Sequence, residues 1–419
     1  MITRADITRA DCHALDARDP LAVVREAFEP PPAGTIFMDA NSMGALPRAA
    51  SERMRRALYD EWSAHRRHAW TVADWLDAPQ RIGAAYARVI GAHPDEVIAV
   101  DNTSLNLHKL AFYALSLVSG ESGRRRIVYE REGFPTDCHV VQGLVHHGGG
   151  RWDLCPFDDP AELPALLDER AALVVLSHAD YRSGFRWNMA AINAQARAAG
   201  VRVVWDLSHT AGAVPVDLEG SGTDFAVACG YKYLCGGPGA PALAYIRRDL
   251  QDRAWPALPG WLGHADRMNF RVDYQPAPGM LSLVSGTMTV LQNAVMETAA
   301  HIWAKVDPKD LAWKHRSLSE TLCTLLSEQC GPLGVKRVSP ANYEARGGHV
   351  AFSCPGGGPV CEALLADGVV ASFRAPDVIR FGLSALTLTH VEVWDAVAVL
   401  KTILAEERWR DPRFAQVSV

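Results

Sequence analysis

Four short stretches in the middle of the chain are apolar at nearly every position rather than at alternate ones: residues 127–130, 173–176, 201–205 and 225–229. Continuous apolar runs of this length, closed by Gly, Asp or Ser, predict strands buried on both faces. Between and around them the period changes. Met54, Ala57, Leu58 and Trp62 recur at helical spacing within residues 49–68, and Leu107, Leu110, Ala111, Ala114, Leu115 and Val118 do so behind the capping residues Asn102, Thr103 and Ser104. A third helix is predicted over residues 188–199. Repeated strand–helix alternation predicts an α/β fold with a mainly parallel sheet. Before it, residues 1 to about 35 read as a polar leader ending in PPPAG, residues 36–38 as a short strand, and Asn41, Ser42, Gly44 and Pro47 as a turn. After it, the chain is helical from about 296 to 305, breaks at Asp307-Pro308, resumes over 311–329 and then alternates strand, helix, strand, strand, helix. The division expected is therefore an N-terminal segment (1–50) packing with the small domain, a large domain (51–295), and a small C-terminal α+β domain (296–419).

Length and composition agree with this plan. At 419 residues and 48% hydrophobic content the chain can bury a large core and a satellite one. A net charge of −6 provides no basic field for a phosphate backbone, so nucleic acid is not an expected partner, and GRRR at 123–126 reads as a solvated loop. No apolar run approaches the length of a membrane span, and the N-terminus mixes both charges without the apolar stretch of a signal peptide. Nine cysteines, an odd number without a CxxC pair, argue against a disulfide framework or zinc knuckle. No metal is expected, and the reducing cytoplasm is the expected location.

The candidate chemistry lies in FAVACGYKYLCGGPGAP, residues 225–241, where an apolar strand delivers Tyr231 and Lys232 into a glycine-rich loop. Open α/β sheets bind ligands beyond the carboxyl ends of their strands. Burial disfavours an ammonium, and the neutral amine that results attacks carbonyls, which suggests pyridoxal 5′-phosphate; the alternative is a surface lysine in a Gly/Pro loop. Upstream, the strand in VRVVWDLSHTAGAVPVDL ends in Asp206, with His209 three residues on. A carboxylate among β-branched residues is costly unless paired, and a pyridinium nitrogen is a suitable partner.

DLSHTAGAVPVDL followed by DFAVACGYKYLCGGPGAPA resembles kynureninase, a fold-type-I pyridoxal-phosphate enzyme of the class V aminotransferase superfamily. The resemblance spans nearly the whole chain and is strongest over 177–241. It implies the fold-type-I transferase fold and a cytoplasmic homodimer with shared active sites. It also implies hydrolytic Cβ–Cγ cleavage of L-kynurenine, or a ring-substituted relative, to anthranilate and L-alanine, in tryptophan catabolism and NAD biosynthesis. Lys232, Tyr231 and Asp206 are the implied catalytic residues: Lys232 carries the cofactor and moves the Cα proton, Asp206 keeps the pyridinium charged, and Tyr231 contacts the phosphate and relays a proton. Thr103 and Ser104 are implied on the phosphate, Phe134 on the ring face, and Asp137, Ser177 and His209 around the ring. Trp261 and Thr287 are implied to reach the phosphate of a neighbouring subunit. For the substrate, Arg380 is the implied α-carboxylate clamp, expected to be solvated or loosely held in the empty site, while Asn41 and Trp70 line the pocket. Each has a plainer alternative: helix capping for Thr103, Ser104 and Asp137, an Asx turn for Asn41, a core aromatic for Trp70, an internal salt bridge for Arg380. The chain departs from the family pattern at AHRRHA (64–69), Leu262, Met288-Thr289 and SALT (384–387). Those departures keep two other activities open: a kynureninase-like enzyme for a different modified amino acid, and class V aminotransferase or desulfurase chemistry, for which Cys354 is the one candidate thiol.

Overall fold

The computed structural model describes residues 7–118, 120 and 123–415, so the extreme ends of the N-terminal and small-domain segments lie outside it. In chain order the strands are β1 (Ile36–Phe37), β2 (Val97–Val100), β3 (Arg126–Glu130), β4 (Asp153–Phe157), β5 (Ala171–Ser177), β6 (Arg202–Asp206), β7 (Phe225–Ala228), β8 (Ala242–Ile246), β9 (Lys336–Arg337), β10 (His349–Ser353), β11 (Val369–Val370), β12 (Ser372–Arg374) and β13 (Val378–Gly382). The large sheet runs β2-β8-β7-β6-β5-β3-β4. Its five strands from β7 to β4 are parallel, and β8 and β2 complete it antiparallel. The apolar runs are buried throughout, as a sheet covered on both faces requires.

The helix Thr103–Val118 presents Leu107, Leu110, Ala111, Ala114, Leu115 and Val118 to this sheet, all buried. Residues 49–68 behave differently from the single amphipathic helix predicted. An α-helix at Ala50–Arg56 widens to a π-helix at Ala57–Ser63, and Arg66 takes a left-handed φ of 49°. The wider turn moves the apolar positions off one face, so Ala57 is buried while Trp62 stays 52% exposed.

The small sheet, β12-β13-β10-β9, is antiparallel. Its alternation separates two surfaces. Val350, Phe352, Ile379 and Phe381 enter a core shared with the helices Pro308–Leu325, Gly357–Ala366 and His390–Ala405. The intervening positions include Arg380, opposite Ser372 on one neighbouring strand and Ala351 on the other, and they face the large domain. The division expected at residue 296 falls inside the helix Val290–Trp303. Its buried Met296, Ala299, Ala300 and Trp303 join the large core, which continues to Leu311. Asp307-Pro308, predicted as a break, is the start of the next helix: Asp307 accepts from Lys309 N at 2.8 Å and Pro308 fills the first helical position.

The N-terminal segment touches both cores. Ile7, Cys12 and Met38 are buried with the small domain, and Leu21 and Phe28 with the large one. β1 pairs parallel with β11. Asp16 caps the helix His390–Ala405 from outside, accepting from His390 N (2.8 Å), Val391 N (3.0 Å) and His390 Nδ1 (2.8 Å). Lys314, fully buried, pairs with Asp19 at 2.8 Å and stands 3.6 Å from Asp16. All nine cysteines are free thiols, and no helix among the described residues is long and apolar enough to cross a membrane.

Burial opposes ionisation of Asp16, but the hydrogen bonds from His390 and Val391 and the charge of Lys314 outweigh it and hold the carboxyl well below the usual range. Its contribution to stability is therefore present above the unfolded value near pH 4 and is lost as pH falls below it. Asp16→Asn is expected to cost about 2 kcal/mol at neutral pH, with the deficit closing on acidification. Urea denaturation of both proteins across pH 3–7 checks this; parallel pH curves would count against it.

Candidate active site

Three neighbouring parallel strands end side by side at one edge of the large sheet. Ser177 closes β5, Asp206 closes β6 directly opposite it, and the loop after β7 carries Lys232. The helix Pro135–His147, which follows β3, adds Asp137 from its first turn and Phe134 from the residue before it. Asp137 and Asp206 are buried, 6% and 5% exposed. Ser177 Oγ donates to Asp137 Oδ2 at 2.7 Å, and Ser208 donates to Asp206 Oδ1 from N (2.8 Å) and Oγ (2.6 Å). Burial raises both carboxyls, Asp137 further because Asp206 adds like charge, and the hydrogen bonds and Lys232 oppose the shift.

Lys232 is 8% exposed and its Nζ lies 2.9 Å from His209 Nε2. The Phe134 ring centroid is 5.7 Å from the same nitrogen. Burial first, then the charge of Lys232, keeps His209 far below the usual imidazole range, so the ring is neutral. Tyr231 stands beside Lys232, its ring 6.0 Å from Nζ, and burial pushes its phenol up to about 12. At neutral pH Tyr231 is therefore a hydrogen-bond donor.

The cofactor implied by the sequence can be tested against unmet hydrogen-bonding capacity. Asp137 Oδ1 and His209 Nδ1 are sealed from solvent without partners, and an aromatic face stands beside the lysine. Buried acceptors without donors are rare in finished cores. A cofactor ring anchored through Lys232 and carrying a protonated nitrogen would bring a donor into the pocket where Asp137 Oδ1 lacks one. The residues fit pyridoxal phosphate.

Across from this cluster the small domain contributes Arg380, 1% exposed. Its Nε and Nη2 donate to Ser372 Oγ at 3.1 and 2.9 Å, and Nη1 to the Tyr181 carbonyl. Tyr181 in turn packs edge-on against Phe134, 5.4 Å between centroids, which joins the two halves of the site. Asn41, 1% exposed, donates to Ser372 Oγ at 3.3 Å and leaves its own Oδ1 unmet. Gly382 is required here, because a Cβ would collide with that oxygen. Arg380 is thus buried, contrary to the solvated state expected of an empty clamp, because Ser372 and a backbone carbonyl satisfy its N–H groups. Those acceptors are neutral, and no carboxylate forms a salt bridge with it among the described residues. Burial and then the neighbouring Arg374 lower it to about 10, against the opposing pull of Asp39.

Among the described residues no hydrogen bond or ring contact joins the other sequence candidates to Lys232. Thr103 and Ser104 open the helix after β2, where Asn102 Oδ1 caps Leu105 N at 3.0 Å. Trp261, 41% exposed, stacks on Phe270 at 5.8 Å, and Thr287 is exposed. The two segments do meet, since a Cβ on Gly260 would strike the Ser285 carbonyl. Trp70 packs edge-on against Trp75 at 5.4 Å. Cys354 is buried in the small-domain core and burial pushes its thiol up to about 12, so the thiol that desulfurase chemistry needs is not supplied there.

Ser372 escaped the sequence reading, although its place opposite Arg380 follows once β12 and β13 are paired. His349 escaped it too. It is fully buried, both ring nitrogens lack hydrogen bonds apart from a loose contact with the Arg182 carbonyl, and its ring lies 5.4 Å from that of His209. Nothing local in the sequence marks it.

Residues 311–400 match the family model described as kynureninase C-terminal domain. Among curated proteins, a kynureninase of Burkholderia mallei (strain SAVP1) is 39% identical over 409 residues, covering 97% of this chain and 98% of that protein. Among solved structures, the apo cysteine desulfurase of Thermococcus onnurineus NA1 superposes with a TM-score of 0.75 at 19% identity, covering 92% of this chain and 98% of that one. A C-DES variant with glycine covalently linked to its PLP cofactor superposes with a TM-score of 0.71 at 20% identity over 88% of this chain and 97% of its own. At these identities the structural likeness establishes the fold.

The raised Asp137 carboxyl gives the site a stability signature. A folded value above the unfolded one means that the ionised form destabilises the fold above about pH 4. Asp137→Asn is expected to stabilise the cofactor-free protein at pH 7 by about 1 kcal/mol, the gain vanishing below pH 4. Chemical denaturation at the two pH values measures it, and a loss of stability at pH 7 would show instead that Asp137 is ionised and paired.

Proposed function

The chain belongs to the kynureninase family, and we propose that the site described above is where it carries out PLP-dependent hydrolysis of the Cβ–Cγ bond of L-kynurenine or a ring-substituted kynurenine. Water supplies hydroxyl to the aryl carbonyl carbon and hydrogen to Cβ, giving an anthranilate and L-alanine. The observation that carries this reading is Arg380: a sealed guanidinium with only neutral acceptors, linked through Tyr181 and Phe134 to the pocket of the buried lysine. An amino-acid carboxylate is the partner that completes it, by two parallel charged hydrogen bonds.

The bound cofactor supplies an electron sink for the charge that develops at Cα. The rest falls to the protein. Lys232 would hold the cofactor and move the proton at Cα, and His209 Nε2 holds the Lys232 nitrogen in place. Asp206, oriented by Ser208, favours the protonated ring nitrogen, and Asp137 with Ser177 serves the neighbouring edge. Phe134 fixes the ring plane, a contact of about 1 kcal/mol. Tyr231, a donor at neutral pH, is placed to hydrogen-bond the phosphate and to return a proton to the product. Ser372 and Asn41 hold the clamp in position.

The active unit is read as a cytoplasmic homodimer with shared sites, in tryptophan catabolism and NAD biosynthesis. What supports the dimer is the surface around Trp261: Phe270 is 72% exposed, Met268 54% and Val272 99%. A patch of this kind beside a predicted phosphate contact suits a second copy. Trp261 and Thr287 would then serve the partner's phosphate, Thr103 and Ser104 the chain's own, and Trp70 the aryl end.

The purified protein is expected to be yellow and to release fluorescent anthranilate from kynurenine, or its hydroxy analogue from 3-hydroxykynurenine; Lys232→Ala should lose both colour and turnover. A colourless protein, or one that keeps its visible absorbance without Lys232, would refute the reading. Arg380→Lys is expected to keep the cofactor but weaken substrate binding by about 1.5–3 kcal/mol, because an ammonium does not reproduce the paired bonds. Substrate titration alongside thermal melting decides it: unchanged affinity with a lower melting temperature would make Arg380 structural.

A further inference from the structure

The turn between β2 and the helix Thr103–Val118 is held by a buried lysine two turns further along that helix. Lys109 is 2% exposed. Its side chain runs back toward the helix N-terminus, as helical side chains do. There its Nζ forms an ion pair with Asp101 and donates to the Leu283 carbonyl at 2.7 Å. Asp101 adopts a left-handed φ of 43°, a conformation that non-glycine residues take only when the surroundings hold them in it. Its carbonyl also accepts from Ala242 N at 3.1 Å, so the turn is pinned from both sides.

This geometry decides which donors the helix offers. Asn102 Oδ1 takes Leu105 N, and Asn106 N bonds the Asn102 carbonyl at 2.9 Å. Among the described residues the amides of Thr103 and Ser104 bond no acceptor, and they project with two hydroxyls from the helix start. The other anchor of Lys109, Leu283, closes a turn at Gly279–Leu283 that leads into Ser285, Gly286 and Thr287, the second segment read as a phosphate contact. One ammonium therefore ties both segments together inside the chain. A buried lysine is costly to retain, and a methionine of similar length would fill the same space without charge.

We propose that Lys109 is a positioning residue for the cofactor phosphate: by fixing Asp101 it sets the Thr103 and Ser104 donors toward the chain's own phosphate, and by fixing Leu283 it holds the 285–287 segment that would serve the partner's. This rests on the reading that the phosphate sits on these segments, and the two can be separated. The readout is the ratio of affinities of the cofactor-free full-length protein for pyridoxal 5′-phosphate and for pyridoxal, which lacks the phosphate. Lys109→Met is expected to weaken pyridoxal phosphate by about tenfold, the loss of one charged hydrogen bond's worth of positioning, and to leave pyridoxal within about twofold. Asp101→Asn, at a partly exposed position, is expected to move the ratio the same way and serves if Lys109→Met does not fold. Equal losses for both ligands, or an unchanged ratio in both variants, would overturn the proposal and leave Lys109 a general stabiliser. Thr103→Ala with Ser104→Ala tests the reading beneath it: if that pair lowers the ratio while the Lys109 and Asp101 variants do not, only the positioning role fails; if the pair leaves the ratio unchanged, the phosphate reading itself fails.

Discussion

Charge kept out of water without a protein partner is the constraint on which the site depends. Asp137, Asp206, Lys232 and Arg380 are all sealed in, and none of them is matched as a stabilising core would match it. The two carboxyls lie near each other with only the charge of Lys232 to oppose their burial, the lysine's own hydrogen bond is to a neutral imidazole, and the guanidinium is satisfied by a serine and a carbonyl. Each arrangement costs free energy in the empty protein, and each is relieved by a ligand of opposite character. A site of this kind survives only if the scaffold around it is rigid. The five parallel strands provide that on one side and the antiparallel small sheet on the other, both backed by continuous apolar cores.

The halves must also stay in register, because the clamp and the lysine belong to different domains. Tyr181 is one tie, through its ring to Phe134 and its carbonyl to Arg380. The edge-on rings of His209 and His349 are another, one from each side. The N-terminal segment is a third, with Asn41 reaching Ser372 while Asp16 and Asp19 hold the small-domain helices. These contacts are short, polar and buried, so a small displacement of the domains would break several at once.

Much of this was legible in the sequence because the signals were local. A fully apolar run closed by Asp206 or Ser177 names both the strand and the residue at its tip, and the glycines around Lys232 mark a loop too tight for ordinary core. Arg380 in an apolar strand was legible as a charge in need of an anion, but its burial was not. That follows from Ser372, which is adjacent only after two strands pair. His349 was illegible for the same reason. The exposed Trp62 shows the opposite failure: helical spacing was present, and a π segment moved it off the buried face.

The aromatic end of the site follows a different logic. Trp70 was read from the chain as lining the aryl pocket, and Trp261 and Thr287 as contacts of a neighbouring subunit's phosphate; in the fold Trp70 packs on Trp75 while Trp261 and Thr287 stand at the surface. Arg380 and the groups that hold it, Ser372 and the Tyr181 carbonyl, by contrast, all belong to one chain. Under the proposed function, the charged end of the substrate would meet a polar cluster fixed by the fold, and its flat end the looser segment that carries Trp70. The departures from the family pattern at 64–69, 262 and 288–289 lie at that second end, beside the segments carrying Trp70, Trp261 and Thr287. Sequence change in those segments leaves the buried cluster of Lys232, Asp206 and Arg380 intact.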